Sequence, residues 1–160
     1  MNSRAITGLV LLVGLSPLGA CHQQSTGTTS AFHFDDAALS EAKPWTSEGF
    51  KNNTDNFQFA VIGDRTGGAD HRGIFDRAMD QLNLLQPEFV INVGDLVEGY
   101  TQDPAKLAAQ WDEVDAMLSK LEMPFFRTVG NHDLSNDVMV DVWRERHGPT
   151  YYHFLYEDVL

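Results

Sequence analysis

The chain has 160 residues, 42% of them apolar, and a formal charge of −12 at pH 7 from 11 basic and 23 acidic side chains. That is room for one ordinary domain with a packed core rather than a disordered chain. The acidic balance, with Lys and Arg scattered, argues against non-specific binding to nucleic acid or anionic lipid, both of which need basic patches.

Residues 1–20 read as a leader. Met1-Asn2-Ser3-Arg4 is a short basic start, Ala5 to Leu15 an apolar run, and Ser16-Pro17-Leu18-Gly19-Ala20-Cys21 a small-residue end. This is the anatomy of a secretory signal, and Leu18-Gly19-Ala20-Cys21 is similar to the lipobox of bacterial lipoproteins. The resemblance implies that Cys21 becomes the acylated first residue of an exported protein, lipid-anchored in the bacterial cell envelope. It also associates Asp after the cysteine with inner-membrane retention; His22 stands there, which favours the outer membrane in a cell that has one. A membrane-spanning anchor is the competing reading. A span needs about 20 apolar residues, and this run is shorter and broken by Gly8, Gly14 and Pro17. Cys21 is the only cysteine, so the chain has no internal disulfide.

Residues 21–55 are expected to form a flexible tether. From His22 to about Phe50, Gln, Ser, Thr, Gly and Ala mix with Asp35, Asp36, Glu41 and Pro44 without a sustained apolar period, the composition of a spacer. Phe32, Phe34, Trp45 and Phe50 stand out from it, and docking of one or two of these rings on the domain surface is the plain expectation.

Residues 56–160 carry the domain. Apolar runs at Phe57–Gly63, Glu88–Gly94 and Met123–Val129 alternate with stretches of helical period, the pattern of strand, crossover helix and parallel strand. Ile74, Ala78, Leu82 and Leu85 mark the inward face of the first helix. Leu107, Trp111, Val114, Leu118 and Leu121 mark the second, which Asp103-Pro104 opens with a capping carboxylate and a first-turn proline. A third helix is expected from about Asn136 to Arg146, with Val138, Val142 and Trp143 inward and Gly148-Pro149 as its stop. A last strand is expected over Tyr151–Tyr156, then a turn at Glu157-Asp158. The apolar Val159-Leu160 beyond it reads as the start of another strand, so the sequence is expected to be the incomplete N-terminal part of a longer protein.

Right-handed crossovers put the C-terminal ends of consecutive parallel strands on one edge, where open α/β sheets bind ligands. All three runs end there in glycine plus a polar group: Gly63-Asp64, Gly94-Asp95 and Gly130-Asn131-His132-Asp133. Asp64, Asp95 and Asn131, 31 and 36 positions apart, can therefore meet, and carboxylates, an amide and an imidazole gathered at one rim suit a metal-phosphate site.

In order and spacing these three junctions resemble the calcineurin-like metallophosphoesterase superfamily, from about Phe57 to the C-terminus. The resemblance implies the N-terminal half of an αββα sandwich whose β-α-β-α-β crossovers present metal ligands at strand ends. It implies two divalent ions (Mn, Fe or Zn), with Asp64 on one, Asp95 bridging, Asn131 on the second and His132 facing the leaving group of a phosphate-ester substrate, mono- or diester. The chemistry suits those residue types: a shared carboxylate relieves repulsion between ions about 3.5–4 Å apart, and an amide adds an oxygen without adding charge. In the protein phosphatases of the superfamily an acidic residue placed like Glu98 orients the motif histidine, so Glu98 either orients His132 or is a solvated loop carboxylate. Those enzymes follow it with a phosphate-binding arginine, where this chain has Gly99.

Two departures bear on activity. Most members read Asp-x-His at the first junction, whereas here Asp64-Arg65-Thr66 offers a hydroxyl, a weaker ligand than imidazole for transition metals. Arg65 either meets a phosphate or, as the plainer expectation, makes a salt bridge. The histidines of the later single-His and Gly-His-x-His segments are missing, so the 160 residues alone are expected to be inactive; His71, His147 and His153 lack matching ligand spacing. The rival function is a lipid-tethered metal- or ligand-binding protein that has lost hydrolysis.

Overall fold

The computed structural model describes residues 31–34 and 41–159; the leader, Cys21 and Leu160 lie outside the described residues. The described elements are β1 (Phe32–Phe34), β2 (Ala60–Ile62), α1 (Ile74–Leu85), β3 (Val90–Asn92), α2 (Pro104–Leu118), β4 (Phe125–Phe126), α3 (Asp137–His147) and β5 (Phe154–Tyr156). β2, β3 and β4 form one parallel sheet in that order, while β1 and β5 pair antiparallel in a second. Helices, parallel sheet and two-stranded sheet stack as three layers, a mixed α/β arrangement.

The parallel sheet is apolar on both faces because alternate residues of a strand point opposite ways. Val90 and Phe125 face the helices and join Met79, Leu82, Trp111, Val114, Met139 and Trp143 in the larger core. Phe89 and Phe126 face the other way, into a cluster with Phe32, Trp45 and Tyr156.

That second cluster draws on the stretch expected to be a tether. Phe32 stacks on Phe50 with ring centroids 4.8 Å apart, and Phe34 meets Trp45 edge-on at 4.8 Å. All four aromatic residues singled out in the spacer therefore pack, and three of them are joined by backbone pairing: Phe32 and Phe34 in β1, and Trp45 in an antiparallel bridge with Phe126. Thr46 N donates to Phe125 O at 3.1 Å and Arg127 N to Pro44 O at 2.7 Å, so residues 44–46 cover the outer edge of β4. A polar composition hid this, because rings alternating with polar residues need only an edge and a greasy face to dock on.

The helices fall close to their expected spans. In α2 the inward residues are Leu107, Trp111, Val114 and Leu118, and Asp103 caps the helix by accepting from Ala105 N and Lys106 N. In α1 the buried stripe is Phe75, Met79 and Leu82, whereas Ile74 and Leu85 are exposed. The expected stripe held at Leu82 but took Ile74 for Phe75, because adjacent apolar residues fit the same period in two phases. In α3 Met139, Trp143 and His147 are buried, with Val138 and Val142 half-buried beside them.

Candidate metal centre

The rim is built by three loops leaving the parallel strands. Asn92, the last residue of β3, is fully buried; its Nδ2 donates to Gly94 O at 2.9 Å and its Oδ1 accepts from Thr128 N at 2.9 Å. Thr128 Oγ1 in turn donates to Asn92 O at 2.7 Å, so the β3 and β4 exits leave together. Arg65 N donates to Asp95 O at 3.0 Å, which brings the loop after β2 alongside. Three sequence-distant segments thus converge through hydrogen bonds, the side chains of Asn92 and Thr128 tying two of them and the main chain of Arg65 the third.

Asp133 ties two of them. Its Oδ2 accepts from Asp95 N at 2.7 Å and Gly130 N at 2.9 Å, and its Oδ1 from Leu96 N at 2.9 Å and Val97 N at 3.2 Å. The side chain is fully buried. Burial raises the Asp133 pKa above the ordinary carboxyl range, against the pull of the four N–H donors on its anion. A carboxylate so placed shapes the loops rather than reaching a ligand. The tetrapeptide put Asp133 next to His132 in sequence, but nothing in the sequence said that it points inward.

Asp95 sits at φ 58°, a left-handed conformation that Asp tolerates better than most residues. Its Oδ1 accepts from His132 N at 2.8 Å, and among the described residues no hydrogen bond reaches Oδ2. The approach is close: a Cβ added to Gly130 would lie 2.1 Å from Asp95 Oδ1, and one added to Gly94 2.6 Å from Gly130 N. Glycine at both positions lets the second and third junctions touch.

Asp64 is exposed, and its Oδ1 accepts from Thr66 N at 2.6 Å and from Thr66 Oγ1 at 2.8 Å. Thr66 is buried and commits its hydroxyl to this carboxylate. Where the resemblance implies a ligand histidine, the chain has a residue that orients Asp64 instead. Asp64 Oδ2, like Asp95 Oδ2, receives no hydrogen bond among the described residues.

Arg65 makes the plainer of its two expected contacts. Its Nε donates to Asp70 Oδ2 at 3.1 Å, Nη1 to Leu96 O at 3.0 Å, and Nη2 pairs with Glu113. These bonds pin the first loop and leave Arg65 a structural cation.

Asn131 is exposed, and its Nδ2 donates to the Tyr100 hydroxyl at 2.7 Å. With the nitrogen engaged, Oδ1 is the atom left for a cation. His132 meets the same Tyr100 ring edge-on at 4.6 Å, and its Nδ1 donates to the main-chain oxygen of Glu98 at 2.9 Å. It is the main chain of Glu98, not its carboxylate, that meets His132; that side chain is exposed. The hydrogen bond to Glu98, with the charges of Asp95, Glu98 and Asp64, holds the His132 pKa above the ordinary range, opposed by slight burial. Both metal-ligand carboxylates expected from the sequence are thus within electrostatic reach of this imidazole. Tyr100 lies one residue past Gly99, and only its place beside Asn131 in space reveals its part.

Among the described residues no group of three or more His, Cys, Asp or Glu side chains is clustered to hold a metal ion. The rim offers two carboxylates and an amide, an oxygen set that suits hard and borderline divalent cations, and one free oxygen on each of Asp64 and Asp95 fits that use. His147 is buried between Trp111 and Trp143, and His71 Nδ1 lies 3.2 Å from Gly68 O; neither adds to the rim.

A family model described as calcineurin-like phosphoesterase matches residues 57–159. No curated protein and no solved structure matches the chain.

Proposed function

The chain belongs to the calcineurin-like phosphoesterase family, and on that premise we propose that it hydrolyses phosphate mono- or diesters at the rim of Asp64, Asp95, Asn131 and His132. The observation that carries this is the pair of tied groups: Asn131 has its nitrogen held by Tyr100 and Asp95 has one oxygen held by His132 N. Each keeps one oxygen for a cation. Asp64, with Oδ1 occupied by Thr66, keeps one as well.

Asp64, Asp95 and Asn131 would hold the divalent pair, manganese, iron or zinc, with Asp95 shared. Cations there supply charge neutralisation for a phosphate group and acidify water. His132 does the chain's own proton work. Its Nδ1 hydrogen is spent on the Glu98 carbonyl, so Nε2 is the nitrogen that meets the departing oxygen. General-acid assistance of this kind typically contributes about 10²–10⁴-fold. The side chain of Tyr100, beside both Asn131 and His132, limits how far either can swing.

Three oxygen ligands without an imidazole hold transition metals weakly, so the 160 residues by themselves bind cations loosely and are expected to be inactive. Tight stoichiometric uptake of two ions in a calorimetric titration with Mn²⁺ would contradict this. The reaction itself is tested in a protein that also carries the later histidine ligands, with saturating Mn²⁺ and an aryl phosphate: Asp95→Asn should abolish turnover, since the shared charge is lost. Unchanged turnover in that variant would sink the assignment, and metal uptake with no turnover even with those histidines present would favour a binding protein.

We extend the proposal to lipid attachment at Cys21, supported by the leader's anatomy and the lipobox resemblance. Among the described residues no helix is long and apolar enough to cross a membrane. A Cys21→Ser variant that still partitions with the cell envelope would overturn the anchor.

A further inference from the structure

Tyr100 is 62% exposed, yet its backbone sits at φ 45°, a left-handed conformation that a bulky side chain rarely adopts. Burial does not account for that strain. Outliers of this kind concentrate where a side chain must be aimed, and the neighbouring contacts aim this one. Gly99 N donates to Gln110 Oε1 at 3.0 Å, and a side chain on Gly99 would run into the main-chain oxygen of His132, so the loop is pressed against the third junction just before Tyr100. The Tyr100 ring then stands edge-on to the His132 imidazole with centroids 4.6 Å apart, and its hydroxyl lies 2.7 Å from Asn131 Nδ2.

The polarity of that last bond decides what the hydroxyl can still do. An amide nitrogen only donates, so the Tyr100 oxygen accepts and its own hydrogen is left over. Among the described residues no acceptor takes it. The spare hydrogen is therefore fixed at the rim, beside the proposed cation ligand Asn131 and the proposed proton donor His132. Arg65, the cation of the neighbouring loop, is committed to Asp70, Leu96 O and Glu113. A negatively charged oxygen suits a waiting hydroxyl well, because a hydrogen bond to an ionised group is about twice as strong as a neutral one.

We propose that Tyr100 binds the substrate directly: its hydroxyl donates to a non-bridging oxygen of the phosphate group while still accepting from Asn131. This rests on the phosphoesterase reading of the rim and gives the same oxygen a second task. Holding Asn131 acts on the cation, whereas donating to phosphate acts on the ester, so the two tasks separate once cation binding is saturated.

The test uses a protein that also carries the later histidine ligands, with Zn²⁺ and methylphosphonate, a phosphate mimic that is not hydrolysed. Zn²⁺ is raised for each variant until the phosphonate affinity no longer responds to it, which removes any difference in cation binding. Tyr100→Phe is then expected to bind methylphosphonate about tenfold more weakly than the parent by calorimetry, the loss typical of one hydrogen bond to a charged group. In protein labelled with 3-fluorotyrosine, the Tyr100 fluorine resonance, assigned by its loss in Tyr100→Phe, is expected to shift saturably along the same isotherm. Equal affinity of the two proteins at saturating Zn²⁺ would show that the hydroxyl serves Asn131 alone. Saturable binding that leaves the Tyr100 resonance unmoved would overturn the contact as well, and either result leaves the phosphoesterase reading standing. Failure of the parent itself to bind methylphosphonate would overturn both.

Discussion

Asp133 Oδ2 accepts the main-chain N–H of Asp95 at 2.7 Å across 38 positions of sequence, and the same carboxylate holds the N–H groups of Gly130, Leu96 and Val97. One buried side chain thus fixes the second and third junctions relative to each other. Asp133→Asn keeps the shape but turns an acceptor oxygen into a donor facing N–H groups. It is expected to cost about 2–4 kcal/mol of stability, as unsatisfied buried donors do, read as a lower urea midpoint. Asp133→Asn with a parental midpoint would show that the four bonds do not matter.

Tyr100→Phe isolates the hold on Asn131. The ring is 62% exposed, so its hydroxyl contributes little to folding, and the thermal midpoint is expected to stay within a degree or two. Without that hydroxyl the Asn131 amide is free to turn its nitrogen toward the cation. Outer partners of metal ligands typically contribute 10–100-fold in affinity, and a loss of about tenfold in Mn²⁺ affinity by titration is expected here. Equal affinity in the two proteins would remove Tyr100 from the site.

Gly130→Ala tests the close approach directly. The new methyl would lie 2.1 Å from Asp95 Oδ1, far inside van der Waals contact, so the loops must separate. Overpacking of this kind costs about 1–3 kcal/mol, and Mn²⁺ affinity should fall with stability. A variant that binds the cation as well as the parent would mean that the two loops move apart without consequence.

His147 predicts a pH dependence of folding. Burial lowers its pKa to about 3, helped by Arg127 and Arg146 and opposed by Asp115, whereas an unfolded histidine titrates near about 6.5. Below that value the unfolded chain takes up a proton that the native state refuses, so stability is fully present above about pH 6.5 and is lost as pH falls toward 3. Between pH 7 and pH 5 this one group should remove about 2 kcal/mol. His147→Phe, which keeps a ring between Trp111 and Trp143, should flatten that part of the profile in urea unfolding. Parallel profiles for the two proteins would rule His147 out as the cause.

Much of this was legible in the sequence. Strand ends carrying Asp64, Asp95 and Asn131, the Asp103 cap and the inward face of α2 all follow from local rules of period and punctuation. The rest depends on three-dimensional neighbours. Glu98 meets His132 by its carbonyl, which every residue possesses, so the choice between its two expected places could not be read from the side chain. Tyr100 and Asp133 matter through where their polar atoms end up. Phe32 and Trp45 sat in a polar context that masked their packing, and Arg127 lay inside the Met123–Val129 run with nothing to say where its guanidinium would turn.

The pairing of Phe32 with Tyr156 joins residues 124 positions apart. Closing so long a loop is entropically costly and is repaid only when both segments are present. The aromatic side of the parallel sheet therefore stays uncovered until β5 has been synthesised, and the chain should leave the ribosome with its helical core able to condense first and its aromatic layer last. A nascent chain stalled just before β5 should be far more sensitive to protease within residues 31–50 than the finished one.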